Sequence, residues 1–221
     1  MEIDRFIETL GHMDAVRLKA GYLAIEGILL LSRTNVIFDP FSVLISKDVR
    51  IGENNTIYPT VRIDSGTDGT IEIGNGNVFF SDSVITAVSG TISIGMGNEL
   101  GENGICIHAE SGAIRISDRT RLKNGPNILD GTDIGAGCQV LGDIKVHNTV
   151  LEDGEDYRAI DPNDRGAVLK GYGYARNILL KKGSVIFGKG DFDQFPVELQ
   201  EKYHPGWKRD QGQEAEKGSR L

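Results

Sequence analysis

Aliphatic side chains recur every six residues along most of this chain. Ile45, Ile51, Ile57 and Ile63 form one such series, Ile73, Phe79 and Ile85 a second, and Ile94, Leu100 and Cys106 a third. The longest series runs through Ile116, Leu122, Ile128, Ile134, Val140 and Val146. This spacing fits neither the 3.6-residue period of an α-helix nor the two-residue alternation of a strand. It predicts a chain that turns a corner every six residues and points one aliphatic side chain inward on each side. Three sides then complete one turn of a repeat solenoid in about eighteen residues.

Turns that begin at Ile51, Ile73, Ile94, Ile116 and Ile134 are spaced 22, 21, 22 and 18 residues apart. The surplus always follows the third side, at Ser65–Gly69, Val88–Gly90 and Glu110–Gly112, so three loops are expected at one corner. Their glycines and serines suit tight turns. The position four residues after each inward residue should also face inward and be small. Val49, Asn55, Val61, Asn77, Ser83, Asn98, Gly104, Thr120, Pro126, Thr132 and Cys138 occupy those places. No turn buries its apolar side alone, but a stack of turns forms one column.

The flanks read differently. Residues 1–34 are expected to be a helical segment, with Asp4 capping one helix and Asp14 capping a second from Ala15 to about Leu31. The repeat occupies 35–190, and 191–207 is expected to close the fold with a short helix after Asp193 and Pro196. Residues 208–221 have almost no apolar content and are expected to be disordered.

Composition narrows the function classes. A net charge of −8 argues against an extended nucleic-acid footprint. The apolar run Gly27–Leu31 is too short to insert into a bilayer, and the acidic start Met1-Glu2-Ile3-Asp4 lacks the order of a signal peptide. The expectation is a cytoplasmic protein. Two cysteines, Cys106 and Cys138, make no disulfide framework and are expected inside as small hydrophobes.

Thr34-Asn35-Val36-Ile37-Phe38-Asp39-Pro40, with Asp48–Asn54 and Ile57-Tyr58-Pro59, resembles the opening of the β-helical domain of bacterial N-acetylglucosamine-1-phosphate enzymes. Asp133-Ile134-Gly135-Ala136-Gly137-Cys138-Gln139-Val140 is similar to a hexapeptide signature of the same group. The resemblance covers about two thirds of the chain and implies a left-handed parallel β-helix, which is an exception to the right-handed crossover rule. Residues 107–114, Ile-His-Ala-Glu-Ser-Gly-Ala-Ile, resemble the Asp-His-Ala-Thr-Gly segment of serine acetyltransferases, whose histidine is the catalytic base. Here Ile107 stands in place of the aspartate and one extra residue precedes the glycine. Residues 170–178, Lys-Gly-Tyr-Gly-Tyr-Ala-Arg-Asn-Ile, resemble the Gly-x-Pro-Ala-Arg/Lys segment beside the coenzyme A site of hexapeptide acyltransferases, with Tyr174 where proline is usual.

Counting by six puts His108 two residues after an inward position and His147 one after, both on the loop-bearing edge, with Asp130 in the matching place on the turn between them. A histidine titrates near neutrality and suits proton removal from an attacking hydroxyl or amine. Asp130 or Glu110 would orient the ring and stabilise the imidazolium. His108, Asp130 and His147 are therefore the candidate catalytic residues. Gly171, Gly173, Ala175, Arg176, Lys181 and Lys182 are the candidate positions for coenzyme A, the cations receiving phosphate.

The resemblance implies an acyl-CoA-dependent O- or N-acyltransferase, acetyl-CoA being the expected co-substrate. The expected acceptor is a sugar, a sugar nucleotide or an amino-acid-like molecule, and the expected assembly is a homotrimer. A non-catalytic β-helical binding or scaffold protein is the alternative. A zinc enzyme like the γ-class carbonic anhydrases, which share the fold, needs three histidines, and the repeat carries two; no metal is expected.

Overall fold

The computed structural model describes residues 2–206. The expected tail at 208–221 lies outside the described residues. The chain forms a parallel β-solenoid of about seven turns, the left-handed parallel β-helix class, preceded by two helices.

Three ladders of in-register side chains build the column. On the first face Ile37, Ile57, Phe79, Leu100, Leu122, Val140, Leu169 and Ile186 pair in succession. On the second face the ladder is Ile45, Ile63, Ile85, Ile107, Ile128, Val146 and Ala175. The third runs Ile51, Ile73, Ile94, Ile116, Ile134, Leu151 and Leu180. Nearly all are fully buried, at roughly 1.5–3 kcal/mol for each such side chain. The strand Val168–Arg176 passes a corner without a break and joins the first two faces into one sheet.

Two departures from the sequence expectation follow from local chemistry. Ile107, not Cys106, is the inward residue on its turn; Cys106 is half-buried and faces out. Gly101, Asn103 and Gly104 all adopt positive φ, and the ladder shifts by one residue between Leu100 and Glu102. That extra residue moves Ile105 into the inward place counted for Gly104. The three corner loops also do not project independently. Gly66 N–H donates to Ala87 O at 2.7 Å, and Val88 N–H to Ala109 O at 2.8 Å. They therefore stack as a continuous arc.

Polar residues are buried where the small inward positions were expected. The N–H and Nδ2 of Asn55 both donate to Asn35 Oδ1, those of Asn77 to Asn55 Oδ1, and those of Asn98 to Asn77 Oδ1, at 2.9–3.1 Å. Thr120 ends the series, its N–H donating at 2.7 Å and its hydroxyl at 2.9 Å to Asn98 Oδ1. Each residue of this ladder beyond Asn35 follows a left-handed corner at Asn54, Gly76, Gly97 or Arg119. Below it Cys138 is fully buried, its thiol donating to Glu152 O at 3.1 Å, and burial pushes that thiol up to about 12.

The ends are closed by different devices. The first helix, α1 (Glu2–Lys19), runs straight through Asp14, and the second, α2 (Ile25–Leu31), begins later than expected. Asp14 still caps α2, from outside, by accepting the Ile25 N–H at 2.7 Å. Ile28 plugs the column, and Arg17 satisfies open carbonyls, donating to Leu23 O at 2.9 Å and Val43 O at 2.7 Å. At the other end the expected helix in 191–207 is replaced by two 3₁₀ turns, Phe192–Gln194 and Gln200–Tyr203, around the short strand Glu198–Leu199. Pro196 holds Phe195 extended and prevents a continuous helix. Phe192 is fully buried as the lower plug. Among the described residues, no helix is long and apolar enough to cross a membrane.

Candidate functional site

Strand Ile105–Ala109 alternates inward and outward residues, so Ile107 and Ala109 are buried and His108 faces solvent. Its neighbours on the adjoining turns are Thr86 and Leu129. Only the register fixes these neighbours, and a count by six cannot. Val146 pairs with Ile128, so His147 follows beside Leu129, and His147 itself pairs with Arg176. His108, His147 and Arg176 thus share one outward column on the second face. From His108 to Arg176 is three strand steps, roughly 15 Å at about 4.8 Å each.

The expected match between His108 and Asp130 does not occur. Because Cys106 pairs with Asn127, Asp130 falls one residue beyond His108. Its carboxylate accepts the N–H groups of Glu110 at 3.0 Å and Ser111 at 3.2 Å, which holds the corner arc. The carboxylate at the imidazole is the other one considered, Glu110. Its Oε2 lies 3.0 Å from His108 Nε2, with the two side chains 37% and 67% exposed. An ionised Glu110 oxygen only accepts, so with it this contact calls for the ring proton on Nε2 and for Nδ1 as the lone-pair nitrogen. The arrangement can accept a proton at Nδ1 and share the resulting charge with Glu110.

The C-terminal motif divides by role. Ala175 is fully buried and faces the column, so its side chain touches no ligand. A Cβ on Gly171 would stand 1.9 Å from Gly188 O, and one on Gly173 would stand 2.1 Å from Gly190 O. Both glycines have φ near +120°, and close stacking of the corner backbone accounts for them. The cations are available outside. Arg176 lies 4.7 Å over the Tyr174 ring and 3.9 Å from Asp191. Lys181 is exposed, and Lys182 Nζ donates to Asp164 Oδ1 at 3.2 Å. Among the described residues, no three histidine, cysteine, aspartate or glutamate side chains converge on a point that could hold a metal ion.

No family model matches the sequence, and no curated protein matches it. Among solved structures, it is similar to a Bacillus cereus protein described as a "putative acetyltransferase". The two share 13% identity over 83% of this chain and 89% of that one, with a TM-score of 0.33. A likeness of that degree carries no argument about activity.

Proposed function

We propose that this chain is an acyl-CoA-dependent O- or N-acyltransferase, transferring acetyl to a sugar, sugar-nucleotide or amino-acid-like acceptor. The observation that carries the reading is the outward column of His108, His147 and Arg176, with Glu110 holding the first imidazole. His108 Nδ1 removes the proton of the acceptor hydroxyl or amine as that atom attacks the thioester carbonyl. The new O–C or N–C bond forms, the C–S bond breaks, and coenzyme A leaves as its thiol. Glu110 stabilises the imidazolium formed in between. Arg176 and Lys181 supply cations for phosphate, Arg176 as a planar fork and Lys181 as a point charge. Three chains per particle, with the site between neighbours, complete the proposal.

Melting the protein with acetyl-CoA and with coenzyme A tests this reading. Both should raise the midpoint, by the equivalent of about 2.7 kcal/mol at one hundred times Kd. No shift with either, together with a monomer by light scattering, would overturn it. That outcome selects the second reading, a β-helical binding or scaffold protein. The buried Ala175 and the backbone-packed Gly171 and Gly173 favour this alternative, because they take three residues out of the expected coenzyme cradle.

A further inference from the structure

The first face carries a cleft of about 240 Å³ over its last turns, which takes in Lys170 at the start of the second motif. Its floor is the outer surface of the sheet, with Val168, Val185, Leu141 and Phe187 supplying apolar area. One wall is the excursion between the strands Val150–Leu151 and Val168–Arg176, which brings Tyr157 and Arg165. The other is the closing 3₁₀ turn with Gln200, Tyr203 and His204.

Charge in the cleft opposes that of the chain. Arg121, Arg165 and Lys170 line it and no carboxylate does, on a protein of net charge −8. Acids stand just outside it: Glu99 is 3.4 Å from Arg121 Nε and 2.7 Å from Lys123 Nζ, and Glu198 accepts from the Tyr203 hydroxyl. The basic groups are held in place. Arg121 stacks 4.0 Å over Tyr157, and Arg165 donates from Nε and NH2 to Ala159 O at 2.9 and 2.6 Å. Arg165 NH1 also lies 3.2 Å from His204 Nε2, so that ring serves as acceptor. Lys170 lies 5.7 Å from the Phe187 ring centroid and has no ion pair among the described residues.

Lys170, the lining cation without an ion pair among the described residues, stands beside an apolar floor, where a counter-charge would be stabilising. The volume limits what can bring it. A cavity of about 150 Å³ accepts benzene, so this cleft has room for one ring and one anionic group. We infer that it binds a small organic anion, a single phosphate or carboxylate on a flat apolar body. Lys170 and Arg121 take the anionic group, and Leu141 and Phe187 take the body. This inference requires nothing of the acyl-transfer reading.

Calorimetry on the full chain tests it with phenyl phosphate, benzoate, inorganic phosphate and benzyl alcohol. Phenyl phosphate or benzoate should bind with a Kd of about 0.1–1 mM, and the tighter of the two identifies the anionic group. Inorganic phosphate and benzyl alcohol should each bind at least about tenfold more weakly, since each supplies half of the match. Lys170→Met should weaken the better probe about tenfold or more, and Phe187→Ala should weaken it severalfold without changing inorganic phosphate. Lys182→Met, which removes an equal charge outside the cleft lining, should leave the affinity for the better probe unchanged. A melting midpoint in Lys170→Met equal to or above that of the unsubstituted chain verifies the fold. The inference fails if neither aromatic anion binds below about 10 mM, if Lys170→Met and Lys182→Met behave alike, or if inorganic phosphate binds as tightly as phenyl phosphate.

Discussion

Replacing Asn77 by alanine removes the middle of the buried amide ladder and should be far more harmful than its small volume suggests. The Asn77 side chain is fully buried, and its Oδ1 accepts both the N–H and the Nδ2 of Asn98. Alanine strands both donors, where water cannot reach them, at about 1–3 kcal/mol each. The Gly95 carbonyl also loses the 3.0 Å bond that Asn77 Nδ2 donates. The sum is roughly 2–6 kcal/mol, against a total stability of about 5–15 kcal/mol for a domain. Thr120→Val makes the matched comparison at the end of the ladder. It removes the hydroxyl, but the Thr120 N–H still serves Asn98 Oδ1 at 2.7 Å, so no donor is stranded. Its cost should be about 0.5–1.5 kcal/mol. Urea unfolding followed by circular dichroism reads both, provided the slope m is unchanged. Equal losses for the two variants would refute the argument from stranded donors.

Other perturbations separate outward position from backbone demand. Ile134→Asp should prevent folding, because Ile134 is fully buried in the third ladder; a folded variant by circular dichroism would contradict the register. Arg119 is exposed but holds φ at +54°, so Arg119→Ala, which keeps the same Cβ strain, should cost little, while Arg119→Gly relieves that strain and should not lower the denaturation midpoint. Asp130→Ala should lower the midpoint by freeing two backbone N–H groups of the arc, and the same melt measures it. Burial, helped by Arg165, lowers His204 below its ordinary 6.5. The unfolded chain then binds the extra proton first, so this contribution is complete above pH ~6.5 and falls as pH drops through the lower folded value. Hydrogen exchange at the Gln200 amide, which bonds to Gly183 O, should accelerate on acidification beyond its intrinsic chemistry.

The column was legible because its signal is repeated. Ile51, Ile73, Ile94, Ile116 and Ile134 all sit in one ladder as the six-residue count requires, and one miscounted turn does not disturb the rest. The site was less legible because it hangs on a single turn. A shift of one residue near Gly101–Gly104 turns Cys106 outward and separates Asp130 from His108. Ile105, Ile107 and Ala109 alternate two apart, and that pattern was the available clue to the true register. The asparagines were placed inward correctly, yet their bonding depends on turn-to-turn spacing that no single segment encodes. The cleft was not legible at all. Arg121, Arg165 and Lys170 meet only because stacked turns bring distant segments together.

In the proposed mechanism His108 is the general base of acyl transfer. Turnover of acetyl-CoA with an acceptor found by screening is compared between wild type and His108→Ala, with coenzyme A affinity measured alongside. The substitution should lower kcat by roughly two to four orders of magnitude and leave that affinity nearly unchanged. His147→Ala should lose less, since no carboxylate is paired with that ring among the described residues. Full turnover in His108→Ala would rule out imidazole catalysis by this residue.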